Sequence, residues 1–286
     1  VTSWSIVSWN VDGLARVVDD LPALVDALGR PEILCLQEVR IRDDDAPAIT
    51  RMRNALSGYD CHASLNRDRV NASFRGGRTY GVATYVARRC GRVVARTPEW
   101  DLEGRVVITE LPARGIAVAD VYGVNGTSKP YVREGLVVGD RHAWKRDVQR
   151  LLGEELAALQ ARGLAIIAIG DWNVSQARID VTPRLRTEEP HATARRELHE
   201  RFVDALGLVD VFRALHPDER AYTWRARGRL LDAARVDFAL VSRELVPRVT
   251  AASILEDARG RSDHAPIVVT LRPPASARRG RGSASS

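Results

Sequence analysis

The chain has 286 residues, 43 of them lysine or arginine against 37 acidic, for a formal net charge of +6. Hydrophobic residues make up 45% and charged residues 28%, an ordinary globular composition that excludes a wholly disordered or collagen-like chain. The apolar runs fall short of the ~20 residues that a membrane-spanning helix needs.

The segment Val1-Thr2-Ser3-Trp4-Ser5 lacks the basic start and apolar stretch of a signal peptide, so a cytoplasmic, nucleoid-associated protein with no membrane partner is expected. Apolar, strand-like runs follow at 4–9, 31–36, 80–87, 105–111, 115–124, 164–170, 235–242, 249–255 and 266–271, many rich in Val and Ile. Between them, residues 19–28 read as an amphipathic helix stopped by Gly29 before Pro31, and 44–57 and 192–206 read similarly. The longest helix is predicted over 141–162, with apolar positions at Trp144, Val148, Leu151, Leu152, Leu156 and Leu159 and a stop near Gly163. Short links between neighbouring strands in the middle of the chain favour antiparallel pairing there. Helix-linked strands need other neighbours, so two mixed sheets packed face to face with helices outside are expected. Residues 62–79, polar and rich in Gly and Arg, read as a long surface loop. Residues 1–272 read as one domain and 273–286 as a disordered basic tail.

Cys35, Cys61 and Cys90 are too few and too scattered for a disulfide framework or a zinc site. Cys35, inside Ile33-Leu34-Cys35-Leu36, reads as a buried core thiol. Only Lys129 and Lys145 are lysines; every other basic residue is arginine. A phosphate-binding surface would use arginine in this way, but a codon bias favouring Arg and Ala throughout is the better account of the ratio. The net charge by itself implies a mild attraction to polyanions.

The chemistry gathers where apolar strands end in polar residues. Trp4–Trp9 runs into Asn10-Val11-Asp12, Ile33–Leu36 into Gln37-Glu38, and Leu164–Ile169 into Gly170-Asp171-Trp172-Asn173. Ser262-Asp263-His264 leads into the last apolar run. If these ends converge, Asn10, Asp12, Glu38, Asp171, Asn173, Asp237, Asp263 and His264 form an oxygen-rich set with one imidazole. Such a set suits a hard cation, Mg²⁺ or Mn²⁺, and metal-assisted attack on phosphate. Each residue alone reads as a turn or a solvated cap; the combination carries the argument.

The ordered motifs Ser8-Trp9-Asn10-Val11-Asp12-Gly13, Leu36-Gln37-Glu38, Tyr80-Gly81-Val82-Ala83, Tyr122-Gly123-Val124-Asn125-Gly126, Gly170-Asp171-Trp172-Asn173-Val174, Arg235-Val236-Asp237-Phe238 and Ser262-Asp263-His264-Ala265-Pro266 resemble the endonuclease/exonuclease/phosphatase superfamily. More closely, they look like its exodeoxyribonuclease III branch of abasic-site endonucleases, over about residues 3–272. The resemblance implies a four-layer αββα sandwich and a Mg²⁺-dependent DNA-repair phosphodiesterase. Such an enzyme cuts 5′ to an abasic site, trims 3′ ends of duplex DNA, or both. Other branches end the strand near 117–125 in Asn-X-His; Tyr122 with no such histidine points to the abasic-site branch, and His142 reads as a surface residue.

By the same resemblance, Glu38 would hold the metal with Asn10, Asp12 and Asp263 nearby. Asp171 and Asn173 would orient or deprotonate the attacking water, and His264, its tautomer fixed by Asp237, would contact a phosphate oxygen. Tyr122 would donate to phosphate or act as a phenolate, and either His264 or Asp171 could be the base. Duplex DNA with abasic sites or damaged 3′ ends is the implied partner of a monomer. Its contacts would come from Asn125, Lys129, Trp224, Arg225, Arg227 and Arg229, and from Arg67, Arg69, Arg75 and Arg78. The chain departs from the family pattern at Ala234, where a second pocket aromatic is common, and at Glu188-Glu189-Pro190-His191-Ala192-Thr193, where acidic residues would weaken phosphate contact. Another phosphoesterase of the superfamily, or a non-catalytic DNA-binding protein on the same fold, are the competing expectations.

Overall fold

In the computed structural model, which describes residues 3–71, 80–183, 185, 188–228, 231–260 and 262–272, the elements follow one another as β1 (Trp4–Asn10), α1 (Leu21–Ala27), β2 (Ile33–Gln37), α2 (Ala46–Arg53), β3 (Tyr59–Ser64), β4 (Val82–Ala87), β5 (Val94–Arg96), β6 (Val106–Leu111), β7 (Ile116–Tyr122), β8 (Pro130–Arg133), β9 (Leu136–Asp140), α3 (Arg141–Ala161), β10 (Ala165–Asp171), α4 (His191–Leu198), β11 (Leu208–Asp210), α5 (Val211–Leu215), β12 (Trp224–Arg225), β13 (Ala233–Ala234), β14 (Asp237–Ser242), β15 (Val249–Ile254) and β16 (Ile267–Leu271). Arg75, Arg78, Arg229 and the tail 273–286 lie outside the described residues.

Two six-stranded sheets carry the fold, in the orders β15-β16-β1-β2-β4-β3 and β11-β14-β10-β7-β6-β5. Each has one parallel pair at its centre, β1 with β2 and β10 with β7, flanked by antiparallel neighbours. The expected pair of mixed sheets is therefore present, in a four-layer α/β sandwich. Side chains alternate between faces along a strand. On β7, Ile116 and Val118 join the core between the sheets, while Ala117, Ala119 and Val121 face the helix layer. On β10, Ile167 and Ile169 point inward and Ile166 and Ala168 outward. Leu152, Leu156 and Leu159 of α3 cover that outer face. Leu21 and Val25 of α1 and Met52 of α2 pack on the first sheet.

Four expectations need correction. The strands β3, β5 and β11 lie at sheet edges, and β8 with β9 forms a separate hairpin; none carries the two-sided apolar run by which central strands announce themselves. Of the loop expected over 62–79, residues 62–64 instead pair with β4, and 72–79 lie outside the described residues. The single helix expected over 192–206 is α4 continued by a π-helical stretch, His199–Ala205. The strand expected from 235 starts at Asp237, because Arg235 turns aside into buried ion pairs with Asp180 and Asp210.

Candidate active site

The two parallel pairs end side by side. Asn10 stands opposite Gln37 in one sheet, and Asp171 opposite Tyr122 in the other. The inward faces that carry apolar residues deeper in the sandwich carry polar ones at these ends. Between them lies a buried bridge: Gln37 Nε2 donates to Ser8 Oγ (2.9 Å) and to Asp120 Oδ1 (2.7 Å), and Thr84 Oγ1 lies 2.9 Å from Asp120 Oδ2. Burial pushes the Asp120 carboxyl up to about 8, against those hydrogen bonds.

Two glycines let the backbones close. A Cβ on Gly170, at φ +152°, would fall 1.9 Å from the Val121 carbonyl oxygen, and one on Gly123 would fall 2.3 Å from that of Trp172. Where the strands end, Asp12, Glu38 and Asn173 take left-handed φ values of 49°, 54° and 52°. Non-glycine residues in that region mark turns held by their surroundings.

Asn10 joins the sheets. Its Nδ2 donates to Glu38 Oε1 (3.1 Å) and to Asp171 Oδ2 (2.9 Å), while its Oδ1 accepts from the Asp12 amide (3.1 Å). Asp171 also accepts from Asn173: the backbone amide reaches Oδ1 (2.8 Å) and Nδ2 reaches Oδ2 (3.2 Å). Burial, with the Asp237 charge added, drives the Asp171 carboxyl up to about 7, although His264, Asn10 and Asn173 pull the other way. Burial alone would raise Glu38 too, but Arg40, the Asn10 amide, His264 and Tyr122 outweigh it and hold that carboxyl below its usual range.

His264 Nδ1 lies 2.8 Å from Asp237 Oδ2, and Nε2 faces Asp171 Oδ2 at 4.0 Å. Burial disfavours the imidazolium, yet Asp237 and Asp171 overcome it and raise His264 to about 10. The histidine is fixed from several sides. Ser262 Oγ accepts from the His264 amide (3.0 Å) and donates to the Asn10 carbonyl (2.6 Å), and Trp9 Nε1 donates to the His264 carbonyl (3.0 Å). Thr223 Oγ1 accepts from the amides of Val236 and Asp237 at 3.0 Å each. Ligand atoms of Asp171, Asp237 and His264 lie within 4.8 Å of one another and could hold a metal ion.

Tyr122 is buried at the floor, its hydroxyl towards Glu38. Burial, then the Glu38 charge, push that hydroxyl well above the ordinary phenol range, so it stands as a neutral donor. The buried Arg105 guanidinium is 4.4 Å from the Tyr122 ring centre and 3.8 Å from that of Tyr80, and pairs with Glu103, which also binds Arg141.

The remaining expected residues divide. Trp224, Asp263, Asn125 and Ala234 line the same cleft as the catalytic set, a space of about 490 Å³. Asn125 and Lys129 border an adjoining cavity with Glu38 and Tyr122. Asp263 Oδ2 accepts from Trp224 Nε1 at 3.2 Å. Asp12 does not offer a free carboxylate: Arg16, Arg40 and Arg227 all pair with it, and Arg40 also binds Glu38. Arg225 pairs with Glu256, and Arg69 with Asp43; Arg67 Nη2 donates to the Asp101 carbonyl.

Three titratable cleft residues were not placed there by the sequence reading: Lys145 from α3, and His191 and Arg195 from α4. The stretch read as acidic thus delivers His191 to the wall, with Arg195 just beyond it, while Glu189 accepts from the Thr193 hydroxyl at 2.6 Å. Nor is His142 simply a surface residue. It is half-buried, its ring centre 5.2 Å from that of His191, and a Cβ at Gly126 would strike its Nδ1 at 2.3 Å. The rarity of lysine was the one signal in the sequence that could have marked Lys145.

Comparison with known proteins identifies a family. A model of the Endonuclease/Exonuclease/phosphatase family matches residues 7–264. The chain is 30% identical to the DNA repair nuclease APEX1 of Danio rerio over 288 residues, covering 93% of this chain and 81% of that protein. It is also 30% identical to Recombination repair protein 1 of Drosophila melanogaster, spanning 36% of that longer protein. Among solved structures it is similar to a 3′-5′ exonuclease from Neisseria meningitidis, with a TM-score of 0.71 at 25% identity, covering 93% of this chain and 99% of that one.

Proposed function

The chain belongs to the Endonuclease/Exonuclease/phosphatase family, and on that footing we propose that it is a hydrolytic DNA-repair nuclease. In this reading it hydrolyses the phosphodiester backbone 5′ to abasic sites, trims damaged 3′ ends of duplex DNA, or does both, with Mg²⁺ or Mn²⁺. The observation that supports it best is the convergence of Glu38, Asn10, Asp171 and Asn173 with the Asp237–His264 pair at one mouth between the sheets. The relatives named for DNA repair and the exonuclease neighbour point the same way.

The protonation states favour one division of roles. His264 keeps its proton at neutral pH, so it donates to a non-bridging phosphate oxygen and stabilises the charge that builds there. Asp171, poised near 7, takes the proton from the attacking water, and Asn173 holds that carboxylate in place. The water oxygen bonds to phosphorus as the P–O3′ bond breaks, and the departing O3′ takes a proton from solvent, leaving a 3′ hydroxyl end and a 5′ phosphate end. Tyr122, a neutral phenol, donates to phosphate. Glu38 would hold the cation, with Asn10 beside it; the ion would neutralise phosphate charge as a Lewis acid. The donor set fits such an ion: a carboxylate kept ionised, with a fixed amide and a second carboxylate adjacent. Asp12 and Asp263 are committed to arginines and to Trp224 and lie further from that role. Asp237, hydrogen-bonded to His264, keeps the imidazole charged and oriented.

Trp224 and Val236, with Ala234 in place of a second aromatic, leave a broad wall for an extruded sugar. An end-labelled duplex with one abasic site, incubated with and without Mg²⁺ and resolved on a sequencing gel, tests the reading. A Mg²⁺-dependent band 5′ to the site shows incision, and a descending ladder shows 3′ trimming. No cleavage of abasic, intact or 3′-blocked duplex would refute it.

A further inference from the structure

Lys145 is among the most buried cations of the chain, 3% exposed, and it reaches the cleft from α3, an outer-layer helix. Its Nζ donates to the Asn173 backbone carbonyl at 2.7 Å, the hydrogen bond it makes among the described residues. A carbonyl alone is a thin partner for a buried ammonium; the Asp171 charge favours it, but burial outweighs that attraction.

We propose that Lys145 is a positioning residue: its ammonium holds the Asp171-Trp172-Asn173 turn through the Asn173 carbonyl and so aims the Asp171 carboxylate at the substrate. This deepens the nuclease reading and rests on it. The turn needs such a hold. Asn173 is left-handed, and it grips Asp171 with both its backbone and its side-chain N–H while the same Nδ2 bonds the Gly123 carbonyl at 3.0 Å. The Asn173 carbonyl sits on the far side of the Cα that carries both donors, so the Lys145 contact fixes the backbone where it leaves the turn, as the Asp171 contacts fix it where it enters.

The composition supplies an independent argument. In a chain this rich in arginine, the lysines stand out. There are two, and both border the cleft: Lys145 on its wall and Lys129 beside Glu38 and Tyr122. A compact ammonium fits one short contact between α3 and the turn. The planar guanidinium fork is wider and asks for several acceptors.

The test compares Lys145→Met, Lys145→Arg and Lys145→Cys with the unmodified protein on the duplex that the latter cleaves. If the proposal is right, both Met and Arg variants melt as cooperatively as the parent and keep KM within about threefold. Their kcat falls by about 10- to 100-fold, the scale of a misplaced reacting group. Alkylating the Cys variant with 2-bromoethylamine, which restores an ammonium at similar reach, recovers turnover, while the same treatment leaves the parent unchanged. The side-chain amide resonance of Asn173 in ¹⁵N-labelled protein shifts in the Met variant whatever the substrate. Full kcat in the Met or Arg variant, a loss confined to KM, or an unmoved Asn173 resonance would overturn the proposal. Absence of cleavage by the parent would refute the nuclease reading instead, and the resonance would still decide the role of Lys145.

Discussion

His264 and Asp237 are a buried acid–base pair, and their energetics set the residue-scale expectations. The folded chain holds the His264 proton to about pH 10, against roughly 6.5 in an unfolded chain. The pair therefore contributes its full stabilisation below about pH 6.5 and loses it as pH rises towards 10. Replacing Asp237 with Asn should lower turnover by about 100-fold or more. The gap in urea midpoint between parent and variant should also narrow steadily from pH 8 to pH 10, a range above the titration of Asp171; a gap that widens would contradict the assignment. Asp171→Asn should reduce kcat by roughly 10³-fold while KM for DNA changes little. These residues were legible in the sequence because each stands where an apolar run breaks abruptly into polar side chains. Lys145, His191 and Arg195 were not, because they sit on helices among many other charges, where position along the chain says nothing about which face meets the cleft. The engagement of Asp12 by three arginines was equally hidden: Arg227 is far from it in sequence and reaches it only through the β12–β13 ribbon.

Among the elements, the site depends on how closely β7 and β10 and the turns beyond them approach. Gly123 donates its amide to the Asp171 carbonyl at 2.6 Å, leaving no room for a side chain. Gly123→Ala should cost about 1–3 kcal/mol of stability by overpacking and a larger share of activity, since the displaced group is the Asp171–Asn173 turn itself. Urea unfolding and kcat measured on one preparation separate the two. At α3, Asp140 Oδ1 accepts from the Ala143 amide at 2.9 Å. Asp140→Ala should cost about 1 kcal/mol and leave the helix that carries Lys145 less firmly started. Central strands were legible from their apolar runs, and α3 from its heptad-like spacing. The edge strands β3, β5 and β11 were not, since a strand open on one side can be polar, as Tyr59–Ser64 is; the edge strand β15 was, from its apolar run at 249–255. The hairpin β8–β9 shows the converse case: Leu136, Val137 and Val138 are apolar in sequence yet exposed, so hydrophobicity alone misplaces them.

Across the whole molecule, the two sheets are joined not only by apolar packing but by Asp120, which crosses from the second sheet to Gln37 and Thr84 of the first. Its carboxyl is raised to about 8 by burial, against about 3.9 unfolded. The folded chain thus binds a proton that the unfolded chain has released, and this contribution, complete below pH 3.9, declines as pH rises through 8. Between pH 5 and 7 the parent should lose stability relative to Asp120→Asn by about 1.4 kcal/mol per pH unit, as read from urea midpoints. Equal slopes would show that the bridge carries an ionised carboxylate. The layer order was legible from the alternation of strands and helices, whereas this polar tie was not, because a lone aspartate in an apolar strand gives no hint of what faces it.

The scarcity of lysine has a practical corollary for anyone handling the protein. Its side-chain primary amines are confined to the rim and wall of one cleft, so an amine-directed ester, aldehyde or fluorophore acts on this chain as an affinity label without being designed as one. Lys129, exposed, should react first. Lys145, held down to about 8 by burial despite Asp171, should react more slowly but as a good nucleophile once reached, and bound duplex should shield it. Coupling through amines would silence the site it is meant to leave alone, whereas attachment through a surface carboxylate remote from the cleft would spare it.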